Sequence, residues 1–160
     1  MQDNDRNLKI LRDSMDKKER ILNNLISMTE QQADYLASDE FEFDVFEDMM
    51  NTKDLMIDEL NSVDNGFESV YNRVRDELKA HPELYKNEIR DLKNCIREIT
   101  SLSVELQALE ERNKNRLEQF FLSKRGEITG YRRATNKVNA YYQTMTGANS
   151  VVDSMMDRKK

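Results

Sequence analysis

The 160-residue chain has no tryptophan, one proline, one cysteine, one histidine and four glycines. With Cys95 alone, no intrachain disulfide can form and no cysteine cluster can hold a metal. With His81 alone, a metal site would lack a second nitrogen ligand, and its place before Pro82 suits a helix-boundary residue. So little glycine and proline cannot supply the turns of a loop-rich or many-stranded fold. No run of consecutive apolar residues exceeds three, too few for a bilayer span. The start, Met1-Gln-Asp-Asn-Asp-Arg6, does not follow the basic-then-apolar plan of a secretory signal. These absences together predict a cytoplasmic protein without stable membrane insertion.

What is present is charge on a helical period. Hydrophobic residues make up 38% and charged residues 35%, the balance of long amphipathic helices with one apolar stripe each. Net charge is −6 and the sequence pI near 5.0, which argues against general nucleic-acid binding. Nine methionines add adaptable apolar surface.

Three–four spacing marks the helices. The first, over about 4–37, starts at Asp3 or Asn4 and carries Leu8, Leu11, Met15, Leu22 and Leu25. Lys18 interrupts its stripe, where the stem could pack and the ammonium escape to water. Asp39 and Glu42 stand at capping-box spacing, so a second helix is expected over about 40–80. Its stripe is Phe46, Met49, Lys53, Met56, Leu60, Val63, Phe67, Val70 and Val74. It passes through Asn65-Gly66 without losing phase, which predicts one continuous helix at a cost of about 1 kcal/mol for Gly66.

Pro82 ends that helix and opens a third over about 82–125. The third stripe runs from Tyr85 through Ile99, Leu106 and Asn113 to Phe120. It continues in phase as Ile128, Tyr131, Thr135, Val138, Tyr142 and Met145, with a stop at Gly147-Ala-Asn-Ser150. The fold class expected is all-α: an antiparallel up-down-up three-helix bundle over residues 1–125, with a long third helix extending beyond its partners. Residues 126–160 form an amphipathic C-terminal extension and basic tail. At 1.5 Å per residue the helices measure roughly 50, 60 and 95 Å, leaving an overhang of about 35 Å.

Pairing about Pro82 places residue 44 near residue 118. An acidic stretch, Asp34–Glu59, then faces part of a basic one, Arg112–Tyr142, and such pairs set register more than stability. Arg132, Arg133 and Lys137 lie beyond that reach and are expected to be free for a partner. The stripe of Ile128, Tyr131, Val138, Tyr141, Tyr142 and Met145 has three readings. It is a partner-binding face, a homodimer seam in which Asn113 fixes register, or intrachain core if the chain folds back at Gly126 or Gly130. The pairs Val151-Val152 and Met155-Met156 read as a short docking helix or a frayed end.

Catalytic chemistry has no foothold. Cys95 borders an apolar stripe and reads as a small buried hydrophobe. The acidic run Asp39, Glu40, Glu42, Asp44, Glu47, Asp48 lacks the alternating ligands and central glycine of a calcium loop. No phosphate loop, serine elbow or zinc motif occurs. Neither an enzyme nor a cofactor or metal is expected.

Leu102-Ser-Val-Glu-Leu-Gln-Ala-Leu-Glu-Glu-Arg-Asn-Lys114, followed by Asn115-Arg-Leu117, resembles the late-helix segment of FlgN-type flagellar export chaperones. Lys53-Asp-Leu-Met-Ile-Asp-Glu-Leu60 is similar to that family's second-helix pattern. Tyr141-Tyr142 leading to Gly147 resembles its aromatic C-terminal region, and Asp157-Arg-Lys-Lys160 the basic tails of clostridial relatives. Arg116 stands where many members carry glycine. The resemblance implies a cytoplasmic helical chaperone of flagellar type III secretion, without a cofactor. It would bind hook–filament junction proteins through its C-terminal amphipathic segment, keep them from assembling early and deliver them for export. Export-apparatus components would be a further partner. The alternative is a homodimeric coiled-coil scaffold.

Overall fold

In a computed structural model of the chain, which describes residues 2–124 and 130–157 and side chains over 3–123 and 132–145, the described residues form four helices and no strand. They are α1 (Gln2–Leu36), α2 (Phe43–Ala80), α3 (Lys86–Lys124) and α4 (Tyr131–Asp157). Asp3 and Asp5 lie in the first turn of α1, where their charge complements the helix dipole.

The α1–α2 connection differs from the expected capping box. Glu42 occupies the N-cap of α2 with no side-chain cap, and the helix starts at Phe43. Its backbone N–H donates instead to the Tyr35 hydroxyl at 2.8 Å, and that hydroxyl lies 3.2 Å from the Glu40 carbonyl. A side chain from the preceding helix therefore does the work assigned to Asp39. Gly66 lies inside α2, as the unbroken stripe predicts.

At the next junction the His81 N–H donates to the Glu77 carbonyl at 3.0 Å. Pro82 sits in a turn that runs to Tyr85, so α3 opens at Lys86 and not at 82. Tyr85 is buried, with its hydroxyl 3.3 Å from Glu77 and 3.5 Å from Asn4, which ties the turn to both neighbouring helices.

Contacts between side chains give the helix directions. Arg12 meets Asp91 and Asn113 meets Thr29, so partners rise together along α1 and α3. Lys17 meets Glu59 whereas Gln32 meets Lys53, so α2 runs against α1. Glu47 meets Arg133 and Lys53 meets Tyr141, so α4 runs with α2. Both α1 and α4 pack on α2 and α3. Among the described residues no helix is long and apolar enough to cross a membrane.

The uncovered overhang is not observed. As described, α3 spans Lys86–Lys124, close in length to α1 and α2, and α4 packs back on α2 and α3. Gly130, at φ +79°, precedes it in a conformation that side chains disfavour. The stop expected at Gly147 is absent, since α4 runs on to Asp157. An apolar stripe gains most when covered, and folding back lets this chain cover its own.

Apolar stripes fill the interior, with Leu11, Leu22, Leu25, Phe46, Ile57, Phe67, Leu106 and Leu117 all but fully buried. Lys18 departs from the expected snorkelling. Its side chain is 2% exposed, and the ammonium pairs with Asp64 on α2 instead of reaching water.

Candidate functional site

Where α4 meets the rest of the chain, the core turns polar. Lys53 stands at a stripe position of α2 and Glu110 on α3, and the two meet as an ion pair with Lys53 0% exposed. Lys53 also donates to the Gln32 side-chain oxygen of α1 at 2.8 Å. The Tyr141 hydroxyl of α4 donates to the same Glu110 oxygen at 2.8 Å, and its ring lies 4.9 Å below the Lys53 ammonium. The Thr29 hydroxyl is 2.6 Å from the Leu25 carbonyl and 3.0 Å from Glu110, with one proton to give. Asn113 donates to the Thr29 carbonyl at 2.9 Å. Four helices thus share one buried polar layer.

That layer is incompletely satisfied. The second Glu110 oxygen, the Gln32 amide nitrogen and the Asn113 amide oxygen are buried without a hydrogen-bond partner. Burial pushes the Lys53 ammonium below its ordinary pKa, against the pull of Glu110. Burial and then the Glu110 charge push the Tyr141 hydroxyl well above its ordinary range, and burial does the same to Tyr142. The Lys53 ammonium has thus given up hydration that its partner returns only in part.

The expected site residues divide. Val138, Tyr141, Tyr142 and Met145 are brought together and buried against α2 and α3, so the intrachain-core reading describes their place in this structure. The rings of Tyr141 and Tyr142 meet edge to face at 5.0 Å, and Lys114 lies 5.9 Å from the Tyr142 ring. Arg133 and Lys137 are not free: both pair with Glu47 on α2, Arg133 at 3.3 Å. The hydrogen bond from Lys137 is the main cause that lowers the Glu47 carboxyl below its ordinary pKa. Arg132 is exposed. Ile128 and the side chain of Tyr131 lie outside the described residues, as do the side chains of Val151, Val152, Met155 and Met156 and the 158–160 tail.

Sequence reasoning missed Glu47, which it left in an acidic run, and gave Glu110 and Gln32 no role. A lysine at a stripe position is the signal that could have found them, because a buried ammonium demands an acidic partner. Elsewhere, Cys95 is half-buried on α3 with its thiol pKa raised by burial, and His81 is exposed. Among the described residues no group of three His, Cys, Asp or Glu side chains could hold a metal ion. The arrangement offers helix-on-helix binding: an amphipathic helix with an apolar seam, basic flanks and a polar key. No family model, curated protein or solved structure matches the chain.

Proposed function

We propose that this chain is a cytoplasmic export chaperone of the FlgN type, in which α4 is a releasable helix that captures an amphipathic helix of a hook–filament junction protein. The carrying observation is that α4 seals the Lys53–Glu110 pair, contributing Tyr141 to it. Undocking α4 exposes the apolar side chains of Val138, Tyr142 and Met145, which is unfavourable. It also returns toward water the Lys53–Glu110 pair that Tyr141 covers, which offsets part of that loss. A seam built this way is easier to open than an all-apolar one, and a client helix supplies the covering that α2 and α3 had given.

Capture then works by mass action. Client bound to α4 is withdrawn from the population able to assemble, and the docked form of α4 keeps the stripe covered when no client is present. The up-down-up arrangement of α1–α3, which the residue pairs above support, gives α4 a fixed platform. The homodimer alternative needs an uncovered seam, and along α4 the described stripe is covered within one chain.

Calorimetric titration of the full chain with a purified hook–filament junction protein tests this reading. Tyr141→Ser/Tyr142→Ser should weaken binding at least tenfold. Glu47→Ala, which loosens α4 without touching its apolar face, should tighten it several-fold by raising the binding-competent fraction. No binding by the unmodified chain, or two variants that move affinity in the same direction, would sink the proposal.

A further inference from the structure

The corner of the bundle that α4 fills continues past α4. With Lys137 level with Glu47 and Tyr141 level with Lys53, α4 carried forward along α2 runs out at Asp157, level with about Ser69. Beyond that point α2 and α3 still have about 15 Å to run before the Pro82 turn. Between them lies an open cleft of about 200 Å³, with Leu78, Leu92 and Ile96 in its wall.

Register places this cleft on the face that takes α4. Arg75 is four heptads past Glu47 on α2, Ile96 two heptads before Glu110 on α3, and Lys93 three heptads before Lys114. In packed helices of this kind a heptad returns a residue to the same side of the seam.

On α2 the sign of the rim is reversed along the way, while the α3 rim is basic at both ends, with Lys114 beside α4 and Lys93 at the cleft. Beside α4, the rim of α2 is Glu47, matched by Arg133 and Lys137. At the open end the charged lining is Arg75, Lys79 and Lys93, with Tyr71 beside them, and no acidic side chain among the described residues lines it. Asp76 approaches Arg75 at 3.8 Å but is not part of the lining. Three cations around apolar residues stand out in a chain of net charge −6.

We propose that this cleft is a second docking site, taken by a short acidic amphipathic helix of a partner protein lying end to end with α4. Its apolar side chains would pack on Leu78, Leu92 and Ile96, and its Asp or Glu flanks would meet Arg75, Lys79 and Lys93. This is α4's own mode of binding with the charges exchanged on the α2 side. The site is separate from the α4 stripe, so it stands whether or not α4 takes a client.

The test uses two labelled 18-residue helical peptides with the same leucine face, one flanked by glutamate and one by lysine. Their binding to the full chain is read by fluorescence anisotropy at low salt. The acidic chain as a whole favours the lysine peptide, so the bulk charge and the cleft predict opposite orders. The expected result is at least tenfold tighter binding of the glutamate peptide, with the preference inverted by Arg75→Glu/Lys79→Glu/Lys93→Glu. The helical melt of that variant should match the unmodified chain, since the three side chains are exposed. Failure of the glutamate peptide to bind, or a preference the triple variant leaves in place, overturns the proposal. A sedimenting dimer that the triple variant dissociates also overturns it, assigning the cleft to a second copy and its acidic 39–48 stretch.

Discussion

The hydroxyl of Tyr141 on α4 and the carboxylate of Glu110 on α3 meet at 2.8 Å, at the oxygen that also takes the ammonium of Lys53 from α2. One carboxylate therefore ties three helices. Tyr141→Phe removes that one bond and keeps the ring beneath Lys53. A hydrogen bond to a charged group contributes about 1.5–3 kcal/mol, so urea unfolding should show a loss in that range. A loss under about 0.3 kcal/mol would mean that Tyr141 does not hold α4.

The pair beneath it is predicted to be worth less than either member alone suggests. Lys53→Met leaves Glu110 buried with only Thr29 and Tyr141 to answer it, and should cost about 3–5 kcal/mol. Glu110→Leu strands Lys53 in the same way. The double variant removes both charges and should recover most of either loss, as chemical denaturation of all four proteins would show. If the two losses simply add, the ion pair is not the source of the cost.

A second buried pair offers a control. Asp64, which holds Lys18, lies eleven residues past Lys53, about 16 Å along α2. At that separation effects should add within about 0.5 kcal/mol. Lys18→Met combined with Lys53→Met is therefore expected to lose the sum of the two single losses. A marked shortfall would show that the two polar layers open together.

Much of this architecture is legible in the spacing of apolar residues. Leu11, Leu22, Leu60 and Leu106 fall on the stripes and are buried. The register about Pro82 that sets residue 44 opposite 118 appears as Phe43 against Phe121 at 5.4 Å. Extended to Lys53 it gives residue 109, one short of Glu110, so the buried pair was within reach of the same argument. The turn back of α4 was not. A three–four stripe states which side of a helix is apolar and says nothing of what covers it. The stripe kept phase across residues 125–130, and only Gly126 and Gly130 hinted at a break there. The polar layer was hidden for a related reason, since Gln32 and Glu110 are residues whose burial only tertiary contacts reveal.

Docking of α4 should have a pH window with a separate cause at each side. The Glu47 carboxyl is held below its ordinary value of 4.5, so its contribution is full above that value and is lost as pH falls through the lowered one. Tyr141 is raised above its ordinary 10.0, so its contribution is full below 10.0 and is lost as pH climbs toward the raised value. Melting followed by circular dichroism should show both limbs. Glu47→Gln should flatten the acid limb, and Tyr141→Phe should reduce the alkaline one to the part that the raised Tyr142 contributes. An acid limb that Glu47→Gln leaves unchanged would place the acid-sensitive group elsewhere.

Two glycines should respond in opposite directions to the same substitution. Gly66 lies inside α2, and a Cβ built there meets nothing within 4 Å. Gly66→Ala therefore adds no clash, restricts the unfolded chain and should stabilise the fold by about 0.5–1 kcal/mol. Gly130 is equally open, with nothing within 4 Å, but its φ of +79° is one that L side chains rarely adopt. Gly130→Ala should cost about 1–2 kcal/mol from backbone strain alone, and the loss should fall on α4. If α4 is a releasable helix, the same change shifts it toward the undocked form, so client affinity should rise while thermal stability falls. Gly66→Ala should raise stability and leave client affinity where it was. Matching titrations and melts on the two variants separate a local effect on α4 from a general change in stability. Equal shifts in client affinity from both glycines would break the link between the Gly130 turn and α4 release.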